Sequence, residues 1–176
     1  MTDGGALPAA FSRTIATLRD TGWIDTCITV GQAFGGDLEA VTVHTGLLAA
    51  HHVTGADLVV VAQGPGNLGT GTRWGFSGVA AGEALNAVAT LRGRPVASLR
   101  VSGADPRDRH LGISHHSLTA YGRVALAPSD LPLPGGDYPA GPAAARGGVR
   151  GGGVRGGVGG PADARRGERE VLRHLR

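Results

Sequence analysis

The segment Val59–Gly78, VVVAQGPGNLGTGTRWGFSG, constrains this chain more than any other. It overlaps Leu58–Ala62, an apolar run rich in β-branched residues that predicts a strand buried on both faces. Gln63-Gly64-Pro65-Gly66-Asn67 is a turn signal, the loop continues through Gly69, Thr70, Gly71 and Thr72, and a helical period begins near Trp74. Strand, glycine-rich loop and helix start, in that order, aim backbone N–H groups and the positive end of a helix dipole at an anion. Asn67, Thr70 and Thr72 add polar side chains there, and Arg73 adds a fixed charge.

Helix and strand patterns alternate around that unit. A helix is expected over Pro8–Asp20, with Phe11, Ile15 and Leu18 on one face, then a strand at Cys27–Val30 and a loop at Gly31–Gly36. Asp37 is placed to cap a helix over Leu38–Val53, with Glu39 in its first turn. After the central unit, a helix is expected to run to about Leu91, with a strand at Pro95–Val101 and a polar loop at Ser102–Ser114. A helical turn at His115–Tyr121 and a short strand at Arg123–Ala127 complete the pattern. This alternation predicts a Rossmann-like three-layer α/β domain with a mostly parallel sheet over residues 1–131. Right-handed crossovers would gather Met1–Leu7, Gly31–Gly36, Gln63–Thr72 and Ser102–Ser114 at the carboxyl edge, where such sheets bind ligands.

Composition narrows the chemistry. The chain has no lysine, which excludes a Schiff-base lysine and the lysine of a Walker phosphate loop. Only three Phe, two Trp and two Tyr occur, so Ala, Val and Leu must build the core. Up to Gly135 there are nine arginines against ten acidic residues, and beyond it eight against four. The net charge of +3 therefore comes from residues 132–176, a Gly/Arg-rich tail expected to be disordered. Gly141–Gly160 has RGG-like steps of the kind that bind RNA, but no aromatic residue follows Tyr138, so a nucleic-acid partner is not expected. The single cysteine, Cys27, forms no internal disulfide and suits a cytoplasmic location. No stretch reaches the roughly 18 apolar residues of a membrane span, and the N-terminus lacks a signal-peptide pattern.

The site candidates lie on the predicted loops. Asp3, Gln32, Gly64, Gly66, Asn67, Gly69, Thr70, Thr72, Arg73 and Arg100 are candidates to bind a small anionic, phosphorylated or nucleotide-like metabolite. His115 and His116 are candidate acid–base residues. His110, His115 and His116 together could hold zinc, manganese or iron, although HLGISHH matches no established ligand spacing. His44, His51 and His52 sit in a helical pattern and read as ordinary surface or half-buried histidines. Arg100, Arg107 and Arg109 could instead pair with Asp105 or Asp108 and order the loop. Ser77 lies in GFSG rather than G-x-S-x-G, and GPGNLGTG departs from the dinucleotide fingerprint, so neither a hydrolase triad nor a bound dinucleotide is expected.

Long motifs add one more constraint. At MTDGGALPAAFS, GQAFGGDLEAVTVHTGLLAA, AQGPGNLGTGTRWGFSG, GEALNA and DPRDRHLGISHHSLTAYGRVALA the chain resembles a bacterial family called domain of unknown function 3866. The resemblance covers about Met1 to Leu131 and implies an actinobacterial-type cytoplasmic protein with no established activity, ligand, cofactor or catalytic residue. It further implies truncation at both ends: family members are longer, and an additional strand precedes the segment like MTDGG.

Three functions fit these residues. Binding, with or without turnover, of a small anionic metabolite is favoured. A non-catalytic interaction or regulatory module would show arginines paired internally, and a metal-dependent hydrolase would use the histidine loop.

Overall fold

A computed structural model of the chain describes residues 8–64 and 67–132. The helix expected over Pro8–Asp20 is split. Ala9–Phe11 forms a 3-10 turn, and α1 (Arg13–Asp20) begins behind Ser12, whose hydroxyl accepts the Ile15 N–H at 3.2 Å. β1 (Ile28–Val30) pairs in parallel with β2 (Leu38–Ala40), in the register Ile28 opposite Leu38 and Val30 opposite Ala40.

The expected helix over Leu38–Val53 therefore opens as a three-residue strand and becomes helical only from Val43. α2 (Val43–His52) starts at a capping box in which Thr42 Oγ1 accepts the Thr45 N–H and Thr45 Oγ1 accepts the Thr42 N–H, each at 3.2 Å. A cap of this kind contributes about 1 kcal/mol. Asp37 is not a cap. Its carboxylate accepts the Cys27 N–H at 2.8 Å and pairs with Arg19, tying α1 to the start of β1. α2 lies directly on β1, because a Cβ at Gly46 would stand 2.6 Å from Val30 Cγ1. Val30 of β1 and Ala50 of α2 are buried, and Cys27 is a buried free thiol.

Leu58–Ala62 does not become a buried strand. It carries no regular secondary structure, and Leu58 and Val60 are 83% and 74% exposed. An apolar run is buried on both faces only where other strands or helices receive it. Among the described residues β1 and β2 form a two-stranded sheet that does not include this run.

The helix expected from near Arg73 starts later. Residues 68–77 fold back as a short arm, with Thr70 N–H to Gly75 O at 2.7 Å and Ser77 N–H to Leu68 O at 2.8 Å. Gly69 holds φ +147° at the base of this arm, where a Cβ would collide with the Gly75 carbonyl. A 3-10 turn at Ser77–Val79 then leads into α3 (Ala80–Thr90).

Pro95–Val101 is strand only at its end. β3 (Val101–Ser102) pairs antiparallel with β4 (Gly112–Ile113), and Val96 makes an isolated parallel bridge to Asp130. α4 (His115–Thr119) runs into a π-type turn, Ala120–Val124, in place of the strand expected at Arg123–Ala127. Asn86 of α3 accounts for that change: its amide donates to Val124 O at 3.0 Å and accepts the Leu126 N–H at 2.7 Å. The backbone groups that a strand partner would take are thus held by one side chain. Leu85, Ala97 and Leu131 form the core here, with Leu99, Tyr121 and Ala125 against it. The result is a mixed helix and strand fold with two separate two-stranded sheets among the described residues, rather than one doubly wound sheet. No helix of the described residues is long and apolar enough to cross a membrane. The expected tail from residue 133 onward lies outside the described residues.

Candidate functional site

The β3–β4 hairpin returns residues 110–117 to Arg100. Arg100 O accepts the Ser114 N–H, and Ser117 Oγ accepts the Arg100 N–H, both at 2.9 Å. Ser114 is fully buried and caps α4, its hydroxyl accepting the His116 N–H at 3.2 Å. His115 and His116 therefore project from the first turn of α4, beside buried His110. Ring centroids are 5.0 Å apart for His110 and His115, 4.9 Å for His110 and His116, and 4.3 Å for His115 and His116. Phe76 stacks on His116 at 3.9 Å and 13°, which fixes that ring from the side of the glycine-rich arm.

Hydrogen bonds assign the His110 tautomer. Arg100 Nη1 donates to His110 Nδ1 at 2.9 Å, and Ser114 Oγ lies 2.7 Å from the same nitrogen. A guanidinium has no acceptor, so Nδ1 accepts and the ring is neutral with its proton on Nε2. Burial first, then the Arg100 and Arg107 charges, lower the His110 pKa to about 4. Burial and the neighbouring His115 and His110 lower His116 to about 4 as well. His115 shifts downward too, through burial and the Arg109 and Arg100 charges. All three rings are unprotonated at neutral pH.

Asp105 organises the cationic side of the site. It accepts Arg100 Nη2 at 2.7 Å and Arg107 Nε, Nη2 and N, each at 3.0 Å. The Arg107 hydrogen bonds foremost hold its carboxyl well below the usual carboxylate range. Arg100 is thus pinned in orientation, while its side chain stays 43% exposed.

A cleft of about 290 Å³ opens beside these groups. Its polar lining includes Gln63, Asn67, Ser98, Arg100, His116, Ser117 and Tyr121. The glycine-rich arm and the histidine hairpin meet at this cleft, with the Asn67 amide nitrogen 3.5 Å from His116 Nδ1. At the arm's tip, a Cβ on Gly71 would lie 3.6 Å from Arg109 Nη1.

Two of the expected loops converge; Gly31–Gly36 does not join them, and Met1–Leu7 lies outside the described residues. Arg100, Asn67 and His116 line the cleft, while His110 and His115 stand behind His116. Gly64, Gly69, Thr70, Thr72 and Arg73 lie outside the lining, and Thr70 and Thr72 spend their hydroxyls on each other at 2.7 Å. They form no cradle at the start of α3, because the folded-back arm intervenes. Gln32 is exposed on the loop after β1, apart from the cleft. Asp3 and Gly66 lie outside the described residues. His44, His51 and His52 are exposed, as expected of surface histidines.

Sequence reasoning missed Gln63, Ser98, Tyr121, Phe76 and Ser114 as site residues. Ser114 was detectable as a cap before an apolar helix, and Ser98 as the residue two before Arg100 on the same face of an extended run. The stacking of Phe76 on a histidine forty residues later leaves no sequence signal.

The family model described as protein of unknown function (DUF3866) matches residues 1–142. No curated protein and no solved structure matches the chain.

Proposed function

The chain belongs to the family of proteins of unknown function DUF3866, and on that premise we propose that it binds a small anionic metabolite, bearing a phosphate or carboxylate group, in the cleft beside His116. One observation carries this: Arg100 is oriented by Asp105 and lines the cleft together with the neutral imidazole of His116. A guanidinium held in one direction forms charge-assisted, often bidentate hydrogen bonds to such an anion. Gln63, Asn67, Ser98 and Tyr121 supply further donors at the rim. The binding role moves from Gly64–Thr72 and Arg73 to the opposite wall. His116, unprotonated at neutral pH and stacked on Phe76, is placed to accept a proton from a bound ligand. A cytoplasmic location, in keeping with one free cysteine, belongs to the same proposal.

The test is calorimetry or thermal shift with inorganic phosphate, nucleotides and small dicarboxylates. Charge-assisted bonds to a guanidinium are worth about 1.5–3 kcal/mol, so Arg100→Ala should weaken binding about 10- to 150-fold, while Arg73→Ala leaves it unchanged. Equal losses in both variants would return the anion to the glycine-rich arm.

A second function has one specific observation in its favour. Asp105 takes both Arg100 and Arg107, the internal pairing expected of a non-catalytic interaction module. A cooperative melt with no stabilisation by any anion would favour that module.

A further inference from the structure

We infer that His110, His115 and His116 together hold one divalent transition-metal ion of the zinc class at the inner end of the cleft. Each ring offers one nitrogen, and these three atoms all lie within 4.8 Å of one another. A zinc ion with nitrogens at about 2.0–2.1 Å in a tetrahedron separates them by about 3.4 Å, so modest side-chain rotation closes the set. The backbone already supplies the arrangement, through the Ser114 cap and the β3–β4 return.

Two observations favour a metal over simple ring packing. His115 Nε2 is buried without a hydrogen-bond partner, a state that costs stability unless something occupies it. Among the described residues the donor set is three imidazoles with no carboxylate or thiolate, Asp105 being taken by Arg100 and Arg107. Imidazole donors select zinc, nickel, copper or iron over magnesium or calcium.

Ser114 supports the chemistry at His110. Ligation through one nitrogen of that ring leaves the proton on the other. The Ser114 hydroxyl, 2.7 Å from Nδ1, can accept a proton from it where Arg100 cannot. Metal on Nε2 would then release Arg100 Nη1 from His110 toward the cleft. Three protein ligands leave a fourth position for water or an anion, and His116 is shared by cluster and cleft. The metal site goes beyond anion binding and does not rest on it.

The full chain, stripped with a chelator and desalted, is titrated with Zn²⁺ against a chromophoric chelator and with Co²⁺ by visible absorption. The expected result is one equivalent bound, with cobalt bands of a tetrahedral site. Affinity should fall about 100-fold or more in His115→Ala and in His116→Gln, and persist in the His51→Ala/His52→Ala double variant. X-ray absorption on the zinc-loaded wild-type chain needs no variant to fold, and should count three imidazoles. Absence of stoichiometric binding, fewer than two imidazoles, or loss of binding in the His51/His52 variant would each overturn the site. Phosphate binding measured on the stripped chain reads the anion site separately, so either can fail alone.

Discussion

The two walls of the cleft are built on opposite plans. The glycine-rich wall, residues 67–78, pairs its hydroxyls locally, Thr70 with Thr72 and Ser77 with Gln63 and Leu68, and meets the other wall through Asn67 and Phe76 at His116. Its side chains are largely exposed, and no charged group of this segment enters the lining. The histidine wall, residues 98–121, gathers its polar groups on one residue, Arg100, which bonds to Asp105, His110, Ser114 and Ser117. Glycine gives the first wall close approach; buried titratable groups give the second its chemistry.

The largest effect that separates the walls is pH. Folding lowers His110 and His116 from the ordinary 6.5 to about 4. Between those values the unfolded chain binds more protons, so stability is full above about pH 6.5 and falls as pH drops toward 4. His110 alone contributes on the order of 3 kcal/mol. Urea melts between about pH 7 and about pH 4.5 in chelator should show this decline, and His110→Gln should reduce it, leaving the part due to His116. Asp105, held below the carboxylate range, acts only in a more acidic window. A flat profile in the native chain would erase the difference between the walls.

Ser114→Ala comes next. It removes the α4 cap and the hydroxyl partner of His110, and denaturant melts should register a loss of about 1–2 kcal/mol. The smallest effect is expected on the glycine-rich wall. Thr72→Val breaks only the exposed bond to Thr70, and should shift stability by no more than about 0.5 kcal/mol. A larger loss there than at Ser114 would reverse the contrast.

The grouping of His110, His115 and His116 was legible from their spacing. HLGISHH places three imidazoles within seven residues, and a cap before a short helix is enough to turn them together. β1 was legible from ITV, and α3 from its apolar spacing, though its start was not: the fold-back of residues 68–77 depends on Gly69 meeting Phe76. Asp37 read as a cap because the residues after it have helical propensity. Pairing with β1 overrode that propensity, as tertiary contacts commonly do.

Leu58–Ala62 marks the boundary between the two kinds of information. By itself the sequence determined which segments could be helical, where glycine permits a reversal, that no lysine chemistry is available, and which residue types a site could use. These follow from local sterics and side-chain chemistry, which need only near neighbours. Tertiary structure alone decided that LVVVA stays outside a ladder, that Asn86 holds Val124 and Leu126, and that Arg100 faces His110 and Asp105. Burial and pairing are properties of both partners, and the second partner lies many residues away.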